Sequence, residues 1–432
     1  MTPQTTPSSE LEIPPTVVLG FAEAFAAIES AWSLLAGGMT MVAFTREDTK
    51  PALRHVRGIR IVPVPPPERD ALATVAAVSR ILREVRADVF LPLDDSSLWL
   101  SRQVDLGSCV VAGPDADGVN LALDKARQLT LAAESGFVVP PTRRFTDVSA
   151  VPLDSGALCI KPAHAVRLDG RRLIRPRGRL CGNAAEYELA RSEVTPGPIV
   201  TQPVIRGAGE GVFGFVDEAG PQCLTGHRRI RMMNPQGSAS SACISKDVEP
   251  ALVDATCRFL TSACWRGLFM VEILRDTDGT PWFMELNGRA WGSLALARRR
   301  GYEYPLWAVQ AALGRAMIPL PPSDPPLIRA RHLGREMAHL AFVLRGPQSV
   351  CMIDEWPGRT RTLADLLSVD PRDRLYNFDA RHPRVLAADT WQSLADLSRS
   401  RRARARMRAC PDAMSSDGQN LPLRADLRIE RE

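Results

Sequence analysis

The residues with the clearest chemical potential lie in the stretch 282–293, WFMELNGRAWGS. It begins as an apolar strand, and Glu285, Asn287 and Arg289 then occupy alternate positions. Because a β-strand directs alternate side chains to one face, these three groups would stand in a row on a strand that otherwise resembles core. Burying a charge without a partner is unfavourable. We therefore expect an oppositely placed group on a neighbouring strand.

A predicted β-hairpin supplies that group. Residues 268–275 form a second apolar strand, and a four-residue turn at 277–280 would place Asp276 opposite Pro281 and Glu272 opposite Glu285. Two carboxylates that close repel each other unless a cation lies between them. Carboxylate and amide oxygens suit Mg²⁺ or Mn²⁺ better than zinc.

Two interpretations of this hairpin remain open from the residues alone. One is a metal site. The other is a hairpin with a different turn register, in which one glutamate is solvated. Paired carboxylates also occur in glycoside hydrolysis, but the neighbouring amide and guanidinium disfavour that reaction. If the metal interpretation holds, Glu272 and Glu285 should have no good protein partner when nucleotide and metal are absent.

The elements before the hairpin predict an α/β unit followed by α+β segments. Apolar strands alternate with helices in the first hundred residues, which is typical of a parallel sheet covered on both faces. No G-x-G-x-x-G follows the first strand, so a dinucleotide site there has little support. Further along, a helix is predicted over 119–136, capped by Asn120 or Asp117, and an amphipathic helix over 249–265. The proline cluster at 319–326 marks a boundary.

Four motifs, taken in order, resemble the ATP-grasp superfamily of carboxylate–amine ligases, on the side close to biotin carboxylase and carbamoyl-phosphate synthetase. They are D-K at 124–125, L-C-I-K-P at 158–162, T-Q-P-V-I-R-G-A-G-E-G at 201–211, and V-E-I with M-E-L-N-G-R at 271–289. The resemblance covers about 14–320. It implies a Rossmann-like α/β domain, an ATP-grasp fold of two α+β subdomains, and a C-terminal extension.

The domain boundaries follow from this alignment of motifs. The expected segments are a disordered tail (1–13), an N-terminal α/β domain (14–115), a lid subdomain (116–198), a catalytic subdomain (199–322) and a C-terminal extension with a basic tail (323–432). The basic tail, Arg399–Arg408, favours a solvated segment over a contact with an anionic surface. Relatives carry a run of glycines after the second motif, whereas this chain has PAHAVRLDGRR, with one glycine at 170.

The resemblance also implies roles for individual residues. By this resemblance, Lys125 and Lys161 would contact the phosphates of ATP. Gln202, Pro203 and Val204 would contact adenine, and Glu210 would contact the ribose. Metal ligation falls to Glu272, Glu285 and Asn287, and Arg289 would face the reacting group. Arg229 and Arg231 would share one face of a strand and bind the γ-phosphate or a substrate carboxylate, although a solvated basic strand is an alternative. Taken singly, the two lysines also suit an exposed helix and a strand end.

These roles imply an ATP-dependent ligase that activates a carboxylate as an acyl phosphate and joins it to an amine, forming a carbon–nitrogen bond. ATP and Mg²⁺ or Mn²⁺, as two ions, would be required. Two alternatives stay open: an enzyme of the same fold that forms carboxyphosphate or only transfers a phosphoryl group, and a non-catalytic nucleotide-binding module. A small-molecule carboxylate and amine are the expected partners, and a homodimer is expected from the resemblance alone.

Composition limits the other function classes. The chain has 432 residues, of which 45% are hydrophobic and 24% charged, with a formal net charge of +5. No basic stripe with interleaved aromatics indicates a nucleic-acid partner. No apolar run approaches the roughly 18 residues of a membrane span, and the N-terminus lacks signal-peptide features. The nine cysteines are scattered without a C-x-x-C motif, which is typical of a reduced, cytoplasmic protein.

Overall fold

The computed structural model describes residues 13–152, 156–237, 239–315, 322–347 and 356–395. The arginine-rich tail, Ser238 and all but the last residue of the predicted N-terminal tail lie outside these ranges. Within them, no helix is long and apolar enough to cross a membrane.

The first hundred residues form a five-stranded parallel sheet with the strand order β3-β2-β1-β4-β5. The elements are β1 (Thr16–Gly20), α1 (Ala27–Ala36), β2 (Thr40–Arg46), β3 (Ile59–Val64), α2 (Ala71–Glu84), β4 (Val89–Pro92), α3 (Asp95–Leu100) and β5 (Val110–Val111). This confirms the predicted α/β unit. The order reverses between β1 and β4, so the loops that follow these two strands diverge and leave a crevice at the carboxyl edge of the sheet.

The helix predicted over 119–136 is interrupted at Asp124. It consists of α4 (Ala116–Leu123) and α5 (Lys125–Glu134). The Asp124 carboxylate accepts hydrogen bonds from the backbone N–H groups of residues 126 and 127, which makes it the N-cap of α5. Asp115, rather than either predicted residue, caps α4. Lys125 is consequently the first residue of a helix and not an interior helix position.

The next segment builds a four-stranded antiparallel sheet, with the order β10-β7-β11-β6, and a separate hairpin. Its elements are β6 (Arg143–Phe145), β7 (Leu158–Pro162), β8 (Arg167–Asp169), β9 (Arg172–Ile174), β10 (Arg179–Cys181), α6 (Ala184–Glu193) and β11 (Ile199–Pro203). One face of this sheet is covered by α6, against which Ile160 and Ile199 pack. The other face is directed toward α5, because Val200 of β11 packs against Ala126.

A seven-stranded sheet completes the fold, with the order β16-β15-β12-β13-β14-β17-β18. Its elements and flanking helices are β12 (Gly207–Asp217), β13 (Gly220–Met232), β14 (Ser240–Lys246), α7 (Pro250–Ser262), β15 (Gly267–Asp276), β16 (Pro281–Asn287), α8 (Leu294–Arg299), α9 (Tyr304–Ala312), β17 (Arg329–Arg331), α10 (Leu333–Arg345), α11 (Arg359–Leu367) and β18 (Asp373–Leu375). Residues 383–395 are also helical. β17 and β18 follow the proline cluster, so the C-terminal extension contributes two strands to this sheet.

The two faces of the seven-stranded sheet belong to different cores. Phe213 and Met270 face the core that contains Trp291 and helices α1, α8 and α9. Val271 and Ile273, the alternate residues of β15, face the core that contains helices α5 and α7. Because side chains alternate along a strand, the polar residues of these strands can be assigned to one face or the other wherever the register is regular.

Candidate active site

Glu272 of β15 and Glu285 of β16 are direct cross-strand partners. This pairing was predicted, but the predicted turn register was wrong, since Arg275 rather than Asp276 lies opposite Pro281. A β-bulge at Met284 compensates for that shift and brings the glutamates back into register. Asp276 is used in the turn itself, where its carboxylate accepts hydrogen bonds from the backbone of residues 278 and 280 and from the indole of Trp282.

Each of these glutamates has a cationic partner from a distant element. The Lys125 ammonium, at the start of α5, forms an ion pair with Glu285. Arg229 Nη1 of β13 lies 2.7 Å from Glu272 Oε1. The expectation that the glutamates lack protein partners without nucleotide and metal was therefore wrong. The physical reason is that α5 and β13 deliver one cation to each carboxylate, which offsets their desolvation.

The ion pairs set the protonation state of the carboxylates. The neighbouring Lys125 lowers the pKa of Glu285 to about 2, against an opposing effect of burial, and Lys161 contributes to the lowering. Burial acts to lower the pKa of Arg229, but Glu272 reverses this and raises it. Glu285 is consequently an anion at neutral pH, which is the form that ligates a metal ion.

Asn287 and Arg289 extend this row of polar groups toward the parallel sheet. Asn287 lies two positions beyond Glu285 on the same face of β16, opposite Met270. The Arg289 Nε donates a hydrogen bond of 2.8 Å to Asp95 Oδ1, at the carboxyl edge of the N-terminal sheet. Despite burial, Arg289 and then Arg175 lower the pKa of Asp95 to about 2. Arg289 therefore lies in the crevice beside β4 and already has a counter-ion.

The sequence interpretation missed Asp95 as part of the site. The available signal was its position, because Asp94 and Asp95 directly follow the apolar strand β4. Polar residues at the carboxyl ends of parallel strands line the ligand crevice in open α/β sheets. The partner Arg289 is 194 residues away in sequence, so no local pattern indicates the contact.

Lys161 and Gln202 share the face of the four-stranded sheet that is directed toward α5. Lys161 pairs with Val200, and Gln202 follows two positions later. Gln202 is buried, and its Nε2 donates to Thr142 Oγ1 at 3.0 Å. Its Oε1 is buried and has no hydrogen-bond partner among the described residues. A buried acceptor left in this way is a ready partner for a ligand donor.

The backbone next to Gln202 offers acceptors and no spare donors. Pro203 has no N–H group, and the N–H of Val204 donates to Ala157 O at 3.3 Å. The unpartnered side-chain oxygen of Gln202 therefore suits a ligand donor, such as an exocyclic amino group, better than a ligand acceptor.

Glu210 is not brought to this site. It pairs across β12 and β15 with Ile273, whereas the adjacent Gly211 pairs with Glu272. Glu210 therefore points to the opposite face of the sheet, where Lys246 at 2.8 Å and Arg275 at 3.0 Å hold it. The predicted ribose contact of Glu210 was therefore wrong. Motif spacing located strand β12 correctly but not the face from which this side chain emerges.

Arg231 also lies away from the site, against α10. The strand is irregular between Arg229 and Arg231, and Arg231 forms an ion pair with the buried Glu336 of α10. Arg331 binds the same carboxylate at 2.7 Å. The predicted shared role of Arg229 and Arg231 was therefore wrong. Arg231 connects the sheet to the C-terminal extension instead.

The single-glycine segment after Lys161 forms the β8–β9 hairpin, with Gly170 in its turn at a φ of +59°. The hairpin contacts the N-terminal domain. Leu173 N donates to Pro67 O at 2.8 Å, and the Arg175 guanidinium lies 2.8 Å from Asp95 Oδ2. Asp95 consequently connects the hairpin to Arg289, and the segment closes one side of the crevice.

The donor set fits a metal ion that arrives with a polyphosphate. Among the described residues, no group of three or more His, Cys, Asp or Glu side chains is placed to hold a metal ion. Glu272, Glu285 and Asn287 supply two carboxylates and one amide oxygen. Mg²⁺ usually takes one or two protein carboxylates and completes its shell with substrate phosphates and water. Lys125 and Lys161 add positive charge from α5 and β7, which suits anionic phosphates.

Comparisons with known proteins bear on the fold. No family model matches the sequence, and no curated protein matches it. Among solved structures, an L-amino acid ligase from Bacillus licheniformis superposes with a TM-score of 0.55 at 15% identity, covering 69% of this chain and 74% of that chain. The biotin carboxylase domain of 2-oxoglutarate carboxylase from Hydrogenobacter thermophilus, bound to MgADP, ADP and bicarbonate, gives 0.55 at 14% identity, covering 72% of each chain.

A third similar structure is the N5-carboxyaminoimidazole synthetase from Staphylococcus aureus, with a TM-score of 0.52 at 11% identity, covering 71% of this chain and 78% of that chain. At these identities the similarity concerns the fold. It agrees with the order of the four sequence motifs and with the sheets described above. The chain has the ATP-grasp fold.

Proposed function

We propose that the protein is an ATP-dependent ligase that activates a carboxylate as an acyl phosphate and transfers the acyl group to an amine. The observation that carries the proposal is the pairing of Glu272 with Glu285 on one sheet face, with Asn287 beside them. Two carboxylates and an amide oxygen on one face form a donor set of hard oxygen ligands that suits Mg²⁺, and phosphoryl transfer from ATP depends on such an ion.

Two further features support nucleotide binding at this face. Lys161 and the unpartnered Gln202 oxygen lie on the face of the four-stranded sheet directed toward α5. One structure of the same fold carries MgADP. In our proposal the Gln202 segment binds adenine, the lysines bind phosphates, and Glu272, Glu285 and Asn287 hold one or two Mg²⁺ ions. The bound metal would neutralise charge on the β- and γ-phosphates.

The chain's own groups would orient and stabilise the reaction. Lys125 and Lys161 would place the γ-phosphate for attack by a substrate carboxylate, and Arg289 would lie on the crevice side of the transferring group. The β8–β9 hairpin, docked on the N-terminal domain, would limit water access and so protect an acyl phosphate from hydrolysis. The amine would then displace phosphate from the acyl carbon.

A second candidate keeps the nucleotide site and replaces the organic acid with bicarbonate, which gives carboxyphosphate. Its support is that a bicarbonate-bound carboxylase domain superposes with the same TM-score as the amino acid ligase. The two candidates differ in the substrate on which ADP formation depends.

ADP release measured against panels of carboxylates and amines tests the proposal. We expect MgATP consumption that requires both an acid and an amine, with an amide-linked product detected by mass spectrometry. ADP release that depends on bicarbonate alone would favour the second candidate. If wild-type protein binds MgATP but no acid, amine or bicarbonate stimulates ADP release, the ligase proposal is wrong.

Matched variants connect the activity to the site. Glu272→Gln and Glu285→Gln should each reduce turnover by at least about 100-fold, since charge stabilisation of this kind supplies several kcal/mol. Glu210→Gln, a change of the same chemistry on the opposite face, should keep turnover within a few-fold of wild type per folded molecule.

A further inference from the structure

The Arg335 guanidinium of α10 lies in the crevice without a carboxylate partner. Its Nη1 donates to the backbone oxygen of Ser240 at 3.2 Å, and its Cζ lies 3.4 Å from the centroid of the Phe25 ring. Within the described ranges, no carboxylate oxygen lies within 4.0 Å of it. Arg335 is partly buried, and a guanidinium in that setting with one neutral hydrogen bond and one cation–π contact is incompletely compensated.

The neighbouring arginines provide the contrast. Arg229 is paired with Glu272, and Arg289 with Asp95. Arg331, also in the C-terminal extension, is paired with Glu336. Arg335 differs from them although it lies in the same part of the molecule.

Asp389, the carboxylate whose charge acts on Arg335, is committed to other partners. Asp389 is 3.0 Å from the His332 ring and accepts a hydrogen bond of 3.0 Å from the Asn377 amide. Burial and the like charge of Arg229 lower the pKa of Arg335 to about 10, with Asp389 opposing the change. The guanidinium nevertheless stays charged at neutral pH and has no ion-pair partner among the described residues.

The position of Arg335 is accessible from the crevice. Gly292, three residues after Arg289, is exposed, and a Cβ built there would lie 3.8 Å from Arg335 Nη1 and 3.5 Å from the Phe25 ring. Phe25 belongs to the loop after β1, on one side of the point where the strand order of the parallel sheet reverses. Arg335 thus borders the same crevice as Arg289, on the side where Phe25 lies.

We propose that Arg335 binds a carboxylate that does not react, so that one of the two substrates carries a carboxylate in addition to its reacting group. This inference rests on the proposed ligase function. The planar guanidinium presents a fork of N–H donors that matches a carboxylate in a bidentate manner. Phe25 covers one face of the guanidinium, and the side chain is only partly buried, which leaves it accessible to a ligand. Arg289 suits this role less, because Asp95 already neutralises it.

Either substrate could supply the carboxylate. An amino acid acting as the amine keeps its own carboxylate after ligation, and a dicarboxylic acid keeps the group that was not activated. The chemistry at Arg335 is the same in both cases, so the experiment must separate them.

The test compares substrate pairs that differ only in this group: L-alanine with L-alaninamide as amines, and succinate with succinamate as acids. ADP release is measured for wild type, Arg335→Met and Arg335→Lys. Loss of a hydrogen-bonded charge should raise the KM of one carboxylate-bearing substrate about 10- to 100-fold. The KM of its amide analogue and of ATP should not change, and Arg335→Lys should recover part of the loss. The pair that responds identifies the substrate.

Arg345→Met is the matched control, because this arginine lies on the same helix and is exposed. It should leave every KM unchanged. Thermal unfolding gives a second readout. A partly buried cation without a counter-ion does not stabilise the fold, so Arg335→Met should unfold at the same temperature as wild type or higher. Succinate or L-alanine should raise the unfolding temperature of wild type only.

Two results would overturn this inference. One is that Arg335→Met changes no KM for either pair while ADP release remains normal. The other combines two observations: Arg335→Met lowers the unfolding temperature, and neither carboxylate probe stabilises wild type more than its amide analogue does. Arg335 would then be a packing residue. Absence of any acid- and amine-dependent ADP release would instead refute the proposed function, while the unfolding measurement would still decide the role of Arg335.

Discussion

The ion pair between Lys125 and Glu285 makes a quantitative prediction about stability. Replacing Lys125 with Met would leave the Glu285 carboxylate without its strongest partner. The neighbouring Lys125 lowers the pKa of Glu285 from 4.5 to about 2, which corresponds to about 3 kcal/mol of interaction. The two side chains are 20% and 31% exposed. Because solvent screens the pair to that extent, we expect a loss of about 1–2 kcal/mol at pH 7.

The pH dependence of this loss has a definite sign. A carboxylate whose pKa is lowered by folding stabilises the native state above its unfolded pKa, here about 4.5, and loses that contribution as the pH falls toward 2. Urea unfolding of wild type and Lys125→Met at pH 7 and at pH 4 measures this. The difference in unfolding free energy should be larger at pH 7.

A double-mutant cycle isolates the interaction. In Lys125→Met/Glu285→Gln the uncompensated charge is absent, so the double variant should be more stable at pH 7 than the sum of the single changes predicts, by about 1–2 kcal/mol. Additive changes, or a Lys125→Met effect that is equal at both pH values, would refute the ion-pair account.

Two other predictions concern groups around the site. A Cβ on Gly288 would lie 2.5 Å from the Trp265 ring, so Gly288→Ala should destabilise the fold by about 1–3 kcal/mol in urea unfolding. It should also weaken MgATP binding, because it displaces the neighbouring Asn287 and Arg289. Unchanged stability would contradict the close packing. Arg231→Met should lower stability, since Glu336 loses a partner, yet keep kcat per folded molecule within a few-fold in the ADP assay. A loss of turnover in a stably folded Arg231→Met would restore its predicted catalytic role.

Local patterns predicted the α/β unit and the hairpin, but not the strands and helices of the C-terminal extension. Strand alternation placed Glu272 and Glu285 on one face, and their predicted pairing is correct because the bulge offsets the error in the turn register. The turn register was wrong since Asp276 caps the turn with its side chain and Met284 forms a bulge. Both features depend on interactions between strands that alternation alone does not describe.

The errors at Glu210 and Arg231 have a different origin. A family motif gives the order of residues along the chain but not the sheet face on which each side chain emerges. Glu210 lies one position from the glycine that pairs with Glu272, and that single position reverses its face. The position of the Arg231 side chain is set by its ion pair with Glu336. Glu336 lies 105 residues later, in a segment outside the resemblance. Contacts over such separations require the tertiary structure.

The central claim is that Glu272, Glu285 and Asn287 hold the metal of a bound nucleotide. Isothermal titration of ATP, with and without Mg²⁺, into wild type, Glu285→Gln and Glu210→Gln tests it most directly. We expect tight, Mg²⁺-dependent binding to wild type and to Glu210→Gln, and loss of the Mg²⁺ dependence in Glu285→Gln. Equal Mg²⁺-dependent binding to Glu285→Gln and wild type would contradict it.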